Sequence, residues 1–146
     1  MLMNIHPLLH ADLLHALAAM GHGDELVIVD ANFPAASVAR RVIHLPTLKA
    51  SDALEAVLTV FPIDVSVTPA ALTMKVAGDA GAIPEPVREF SAVLEPHMPL
   101  SSLASLERAA FYERARKAFA IVRTAELRRY GNILLIKGVV NRYPAS

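Results

Sequence analysis

Four consecutive apolar residues, Leu26-Val27-Ile28-Val29, limit the possible folds of this chain more than any other feature. Their β-branched side chains favour a strand, and the absence of alternating polar residues indicates that both faces of this strand are covered. Strands of this kind occur in parallel sheets that lie between layers of helices. The run therefore predicts a layered α/β protein.

Helical and strand patterns alternate along the rest of the chain. Apolar residues at helical spacing from Leu13 to Ala18 end at Gly21 and predict an amphipathic helix before the first strand. Further helices are predicted at 51–61, 84–94 and 108–118, and further strands at 41–45, 65–67, 72–76, 120–122 and 133–136. Residues 1–146 contain no repeat or long linker, so we expect one compact domain with a mostly parallel sheet and helices packed on it.

The apolar content predicts self-association. Hydrophobic residues make up 54% of the chain, and the mean hydropathy is +0.41. No apolar run approaches the ~18 residues that a membrane-spanning helix needs. Because obligate subunit interfaces resemble a protein core, we interpret the excess as surface buried in a homo-oligomer.

Charge and cysteine content exclude several function classes. The 14 basic and 14 acidic residues balance, so the chain lacks the positive charge that binds nucleic acid. It has no cysteine, which excludes disulfides and thiolate catalysis. We expect a cytoplasmic protein, since the N-terminus lacks the pattern of a signal peptide. No cofactor or metal is expected, because His6 and His10 are better explained as part of a helix entrance and no nucleotide-binding glycine loop is present.

A histidine and a carboxylate stand at the two ends of the first strand. His22 lies between Gly21 and Gly23, which leave its imidazole uncrowded, and a histidine is suited to transfer protons near neutral pH. Asp30 follows the strand, where open α/β sheets commonly place ligand-binding groups. The same residues also suit a helix C-cap, a turn and a turn-capping aspartate.

Two further segments carry groups that bind hydroxyls. Arg108 supplies several hydrogen-bond donors, and Tyr112 supplies an aromatic face with a hydroxyl, although for this segment taken alone an ordinary charged helix face is the better explanation. Tyr130-Gly131-Asn132 combines donors and acceptors with a glycine that permits close approach of the backbone. A hairpin turn is the alternative.

Together the segments resemble the ribose pyranase/fucose mutarotase (RbsD/FucU) family, and within it the L-fucose mutarotase branch. The resemblance covers nearly the whole chain and rests on five motifs in order, Ile5-His6-Pro7-Leu8-Leu9, Met20-Gly21-His22-Gly23-Asp24-Glu25, Asp30-Ala31-Asn32-Phe33-Pro34, Ala110-Phe111-Tyr112-Glu113-Arg114-Ala115 and Tyr130-Gly131-Asn132-Ile133-Leu134. The resemblance implies a cofactor-free sugar mutarotase with a ribose pyranase-like fold that assembles into rings, commonly decamers of pentameric rings.

The resemblance also implies roles for individual residues. It implies His22 as the proton donor, with Tyr112 as a second catalytic residue at the position where the ribose-acting branch has histidine. The implied sugar contacts are Asp30, Arg108 and the Tyr130-Gly131-Asn132 segment. The chain departs from the pattern at Ala109, where phenylalanine is usual, and at Ala125, where glycine is usual. These changes affect the identity of the sugar more than the reaction, because a pocket contact changes discrimination by only about 1–3 kcal/mol.

The expected function is therefore interconversion of the α and β anomers of a monosaccharide, with L-fucose preferred. A D-ribose pyranase activity, a non-catalytic sugar-binding or transport-accessory protein, and a purely structural subunit are the alternatives. An extended strand rises about 3.3 Å per residue, which separates His22 from Asp30 by more than ~15 Å. A site that uses both residues requires either a subunit interface or strong curling of the His22 loop.

Overall fold

One mixed sheet of six strands organises the computed structural model, which describes residues 1–141. The strands are β1 Glu25–Val29, β2 Val42–His44, β3 Ala71–Met74, β4 Leu103–Leu106, β5 Ala120–Arg123 and β6 Ile133–Ile136. Their order across the sheet is β2-β5-β1-β6-β3-β4. The β1–β5, β2–β5 and β3–β4 pairs are parallel, whereas β6 runs antiparallel to both of its neighbours. The α/β fold class is confirmed, and the predicted domain boundary at 146 extends past the described residues.

Helices cover both faces of this sheet. They are α1 Ala11–Ala19, α2 Ala35–Val38, α3 Ala50–Leu58, α4 Glu85–Leu94 and α5 Arg108–Lys117. Leu26 and Ile28 of β1 belong to the core cluster that includes residues of α1, α3 and α4. Val27 and Val29 belong to a second cluster with residues of α2 and α5. All four side chains have zero relative exposure, so both faces of β1 are covered, as its unbroken apolar sequence predicts.

None of the helices within residues 1–141 is long and apolar enough to cross a membrane.

Several local predictions differ from the structure, and the short helix α2 Ala35–Val38 has no predicted counterpart. Residues 65–67 form turns rather than a strand, and Val65 and Val67 are exposed. The segment 94–108 contains β4, an edge strand whose short Leu-Ala-Ser-Leu sequence becomes extended by pairing with β3. The helix predicted to reach Phe61 ends earlier, at Leu58. Each difference arises where tertiary pairing or loop hydrogen bonds decide the local conformation.

Candidate active site

A polar cleft lies at the carboxyl end of β1. It has a volume of about 230 Å³, and we call it the β1 cleft. It is lined by Asp30, Asn32, Phe33, Met74, Arg108, Tyr112, Arg129, Tyr130 and Asn132. Because β6 is antiparallel to β1, the residues before β6 meet the residue after β1 at one edge of the sheet. The fold thus brings together Asp30, Arg108, Tyr112, Tyr130 and Asn132, although 102 residues separate Asp30 from Asn132.

Asp30 is fixed on the floor of the β1 cleft. Its Oδ1 accepts hydrogen bonds from the backbone N–H groups of Asn32 at 3.0 Å and Phe33 at 2.9 Å. The backbone N–H of Asp30 donates to Oδ1 of Asn132 at 3.0 Å. Burial raises the pKa of the Asp30 carboxyl, while these hydrogen bonds act in the opposite direction. The result is a pre-positioned acceptor suited to a ligand hydroxyl.

The Tyr130-Gly131-Asn132 segment adopts a constrained backbone. Tyr130 has a φ of 61°, an uncommon value for a residue other than glycine. Its hydroxyl accepts a hydrogen bond from the backbone N–H of Ala77 at 3.1 Å, so the hydroxyl hydrogen can be donated elsewhere. A Cβ at Gly131 would lie 2.9 Å from Cγ of Glu126, too close for a side chain. The hairpin alternative is wrong, because β6 pairs with β1 and β3 and not with β5, the strand before it.

Arg108 and Tyr112 reach the β1 cleft from the first turns of α5. The Phe33 ring packs edge-on against Tyr112, with 5.1 Å between ring centroids and an interplanar angle of 76°. The two acidic neighbours of Arg108 pair elsewhere: Glu107 lies 3.8 Å from Lys75, and Glu113 pairs with Arg116. The Arg108 guanidinium is therefore not engaged by these carboxylates.

His22 lies at the opposite end of β1 and does not line the β1 cleft. The backbone N–H of Gly23 donates to the carbonyl of Lys137 at 2.8 Å, which holds the His22 loop beside the carboxyl end of β6. The His22 loop thus does not curl towards Asp30 in the subunit. Instead, the imidazole Nε2 lies 2.9 Å from Oδ2 of Asp64. The His22 side chain is 55% exposed and that of Asp64 only 7%.

The sequence did not indicate Asp64 as a candidate. Its Oδ1 accepts hydrogen bonds from both the hydroxyl and the backbone N–H of Ser66. The Ser66 hydroxyl lowers the pKa of the Asp64 carboxyl, burial opposes this, and the Ser66 N–H and His22 lower it further. The only local signal is an aspartate two residues before a serine, a common turn pattern that gives no hint of His22, 42 positions away.

A network of charged residues supports the loop before β6. Arg128 donates to Glu89 at 2.7 and 2.9 Å and to the buried Glu126 at 2.7 Å. The hydrogen bonds from Arg128 lower the pKa of Glu89 to about 2. The carbonyl of Glu126 accepts the N–H of Ala31 at 2.8 Å, directly beside Asp30. The network therefore connects α4 to the wall of the β1 cleft.

Within residues 1–141, no group of three or more His, Asp or Glu side chains is arranged to hold a metal ion. The sheet and the β1 cleft define an α/β protein with a small polar pocket whose carboxylate, guanidinium, amide and phenolic groups suit a polyhydroxylated ligand. The chain belongs to the RbsD / FucU transport protein family, whose model matches residues 3–140. This finding confirms the family assignment made from the sequence motifs.

Solved structures resemble the chain over nearly its full length. The fucose mutarotase of Streptococcus pneumoniae, solved in complex with L-fucose, is 40% identical, with 95% of this chain and 99% of that chain covered and a TM-score of 0.89. FucU from Bifidobacterium longum is 39% identical over 93% of this chain and 98% of that chain, with a TM-score of 0.85. RbsD of Bacillus subtilis, solved in complex with D-ribose, is 22% identical, with 94% of this chain and 99% of that chain covered. Its TM-score of 0.73 shows that the two proteins share the fold.

Proposed function

We propose that this protein is a cofactor-independent sugar mutarotase that interconverts the α and β anomers of a monosaccharide, with L-fucose as the preferred substrate. The convergence of Asp30, Arg108, Tyr112, Tyr130 and Asn132 in one cleft carries this proposal. The 40% identity with a fucose mutarotase that binds L-fucose supports the choice of sugar. The cleft offers acceptors, donors and an aromatic face to a molecule with several hydroxyl groups.

The chemistry requires only proton transfer. Ring opening breaks the bond between the anomeric carbon and the ring oxygen, the ring oxygen gains a proton, and the anomeric hydroxyl loses one. Closure on the other face reverses these transfers and leaves the sugar's oxidation state unchanged. Positioned acid and base groups contribute about 10²–10⁴-fold to such reactions. We assign the role of proton donor to His22 and place Tyr112 at the sugar as the second catalytic residue.

His22 and the β1 cleft of the same subunit are separated by β1, whose five residues span about 16 Å at 3.3 Å per residue. A single pyranose does not bridge that distance. We therefore propose that His22 of one subunit completes the β1 cleft of a neighbouring subunit. The exposed apolar side chains Val65, Val139 and Val140 stand close in sequence to Asp64 and Gly138 and would be covered by such an interface. Leu127, also exposed, lies in the loop that carries Tyr130.

Saturation-transfer NMR tests the reaction, because it reports the exchange between α and β anomer signals directly. We expect exchange of L-fucose to be accelerated by the protein and slowed at least ~10²-fold in His22→Asn, since the proton donor is lost. His97→Asn, which changes an exposed histidine outside the cleft, is the matched control and should retain full exchange. Binding of L-fucose without accelerated exchange would instead support a non-catalytic sugar-binding protein.

Mixing two inactive variants tests whether the site is shared between subunits. His22→Asn has an intact β1 cleft, and Asp30→Asn/Arg108→Ala has an intact His22. Random co-assembly at equal amounts should restore about a quarter of the sites if each site takes its histidine from a neighbour. No recovery in assemblies shown to contain both variants would refute the shared site, as would full activity of a dilute monomer.

A further inference from the structure

We propose that Lys137 is a positioning residue whose side chain holds His22 in place for proton transfer. This inference rests on the proposed role of His22. Lys137 follows β6 and is partly buried. Its Nζ donates hydrogen bonds to two main-chain carbonyls, that of Leu17 at 2.8 Å and that of Met20 at 2.6 Å. Met20 begins the His22 loop, residues 20–24, so the ammonium group contacts the chain directly before the proposed proton donor.

The end of α1 explains why these carbonyls take a donor from another part of the chain. The last carbonyls of a helix have no partner within it. The N–H of Gly21, which would reach the Leu17 carbonyl if the helix continued, donates instead to Oδ2 of Asp24 at 2.7 Å. Gly21 does not adopt the left-handed conformation that commonly closes a helix, and the last turn of α1 contains no basic residue. Lys137 therefore supplies the cation that stabilises this helix C-terminus.

The main chain of Lys137 holds the other side of the same loop. Its N–H donates to the carbonyl of Asp24 at 2.9 Å, and its carbonyl accepts the N–H of Gly23 at 2.8 Å. These two hydrogen bonds lie after His22 in the chain, whereas those of the ammonium group lie before it. One residue thus fixes both ends of the segment that carries the imidazole. Only the contacts before His22 depend on the lysine side chain.

The glycines on either side of His22 make these contacts necessary. Gly21 and Gly23 have no side chain to restrict the backbone, and Gly23 has a φ of 86°. Such a loop keeps one conformation only where its hydrogen bonds hold it. Displacement of a catalytic group by about 1 Å can reduce a rate about 10²-fold. Loss of the ammonium group should therefore slow the reaction through His22, although Lys137 itself does not line the β1 cleft.

Lys137→Met tests the proposal, because methionine keeps an unbranched apolar side chain and removes the ammonium group. We expect kcat for L-fucose anomer exchange to fall about 10²-fold with little change in KM, because the residues that line the β1 cleft are intact. Backbone hydrogen exchange, measured by mass spectrometry without sugar, should become faster in peptides that cover residues 17–24. Peptides that cover α5 should be unchanged.

Lys117→Met is the matched control. Lys117 is the last residue of α5 and is exposed, so it is also a lysine at a helix C-terminus. This variant should keep the kcat and the hydrogen exchange of the unsubstituted protein. A purely structural role of Lys137 predicts instead that Lys137→Met lowers the unfolding temperature and leaves kcat per folded subunit unchanged.

The absence of cysteine from the chain permits a rescue that is specific to the ammonium group. Lys137→Cys contains a single thiol, which 2-bromoethylamine converts into S-aminoethylcysteine. The thiolate sulfur bonds to the carbon that carries bromine, bromide leaves, and the buffer takes up the thiol proton. The new side chain places its ammonium group as many bonds from Cα as lysine does. Alkylation with bromoethane gives a similar side chain without the ammonium group.

Both alkylations are carried out on the unfolded chain, which is then refolded and reassembled. We expect the aminoethylated protein to recover most of the kcat of the unsubstituted protein. The ethylated protein should stay near the kcat of Lys137→Met. Equal kcat values of the two alkylated proteins in refolded assemblies would show that the ammonium group has no part in positioning His22.

Competitive labelling tests the ammonium contacts in the unsubstituted protein. Reductive methylation requires the unprotonated amine, so an ammonium group bonded to two carbonyls should react more slowly than an exposed one. We expect labelling of Lys137 to be at least ~10-fold slower than that of the exposed Lys49 and Lys117. This measurement needs no variant, so it stands even if the substituted chains fail to fold.

Either of two further results would overturn the inference: labelling of Lys137 as fast as that of Lys117, or a kcat in Lys137→Met equal to that of the Lys117 control. Labelling and hydrogen exchange are read without sugar, so they test the contacts of Lys137 even if no sugar is turned over. Absence of anomer exchange in the unsubstituted protein would refute the proposed function alone.

Discussion

The ion pairs of Arg128 with Glu89 and Glu126 should contribute several kcal/mol to the free energy of unfolding. This is unusual, because the Arg128 side chain is 29% exposed. Arg128→Met removes the guanidinium and keeps an apolar stem of comparable length. The change leaves the Glu126 side chain, which is only 3% exposed, without its ionic partner. Removal of one partner from a buried pair costs about 3–5 kcal/mol, because the remaining charge is uncompensated. Partial solvent access to Arg128 reduces the expected loss to about 2–4 kcal/mol.

Urea unfolding at fixed protein concentration measures this loss, and the fixed concentration matters because self-association would add to apparent stability. Arg116→Met is the matched control. Arg116 pairs with Glu113 one helical turn away, with both side chains at least half exposed. We expect the control to change the free energy of unfolding by less than about 0.5 kcal/mol.

The loss should also depend on pH. Arg128 lowers the pKa of Glu89 from its ordinary value of 4.5 to about 2. A carboxyl group with a lowered pKa in the folded state stabilises the fold fully above its unfolded pKa. That contribution disappears as the pH falls through the folded pKa. The stability difference between the unsubstituted protein and Arg128→Met should therefore be largest above pH 4.5 and shrink as the pH falls towards about 2.

A second substitution separates the buried charge from the lost contacts. The backbone N–H groups of Ala50 and residue 128 donate to different oxygens of Glu126, Oε1 and Oε2. Glu126→Gln in the Arg128→Met background removes the uncompensated charge and keeps one oxygen, which can accept one of these two N–H groups. We expect it to recover part of the lost stability, which is a favourable coupling in a double-mutant cycle. The reasoning is refuted if Arg128→Met costs no more than the Arg116 control, or if the double variant is less stable than Arg128→Met alone.

Two predictions concern the sugar itself. Arg108→Ala should weaken L-fucose binding by about 1.5–3 kcal/mol, the value of a charge-assisted hydrogen bond, as measured by calorimetric titration; unchanged affinity with a lowered unfolding temperature would show that Arg108 is structural. The unsubstituted protein should exchange the anomers of L-fucose faster than those of D-ribose per subunit, and Tyr112→His should narrow that difference, because a smaller, protonatable imidazole replaces the apolar phenol face that meets a deoxysugar methyl group. Faster exchange of D-ribose would instead make this chain a pyranase.

The strand β1 and its neighbourhood could be predicted from the sequence because their signals are local. An unbroken apolar run is sufficient to place β1 between two layers of helices. Asp30 follows it and Tyr130-Gly131-Asn132 precedes β6, so each could be nominated from its own position along the chain. That these residues meet in one cleft could not be derived locally, because it depends on β6 running antiparallel to β1. The expectation that these residues contact the same sugar came instead from the resemblance to the family.

The partners of the candidate residues could not be predicted, because they come from distant segments. Asp64 meets His22 across 42 positions, and Glu89 meets Arg128 across 39. Neither pair leaves a spacing pattern that a sequence reader could recognise. The strand β4 was missed for a related reason, since its extended conformation is imposed by pairing with β3.

The rigid strand β1 explains why the proposed reaction would need an oligomer. Leu26, Val27 and Ile28 are each paired with β5 on one side and β6 on the other, and helices cover both faces of the strand. No rotation of a side chain or loop closes a gap of about five strand residues, and bending a buried central strand would break both ladders. If His22 donates the proton and the β1 cleft binds the sugar, each subunit carries both parts of the site. Within one subunit these two parts lie too far apart to act on the same sugar molecule. The reaction then requires a neighbour, so exchange per subunit should fall on dilution in step with dissociation of the oligomer.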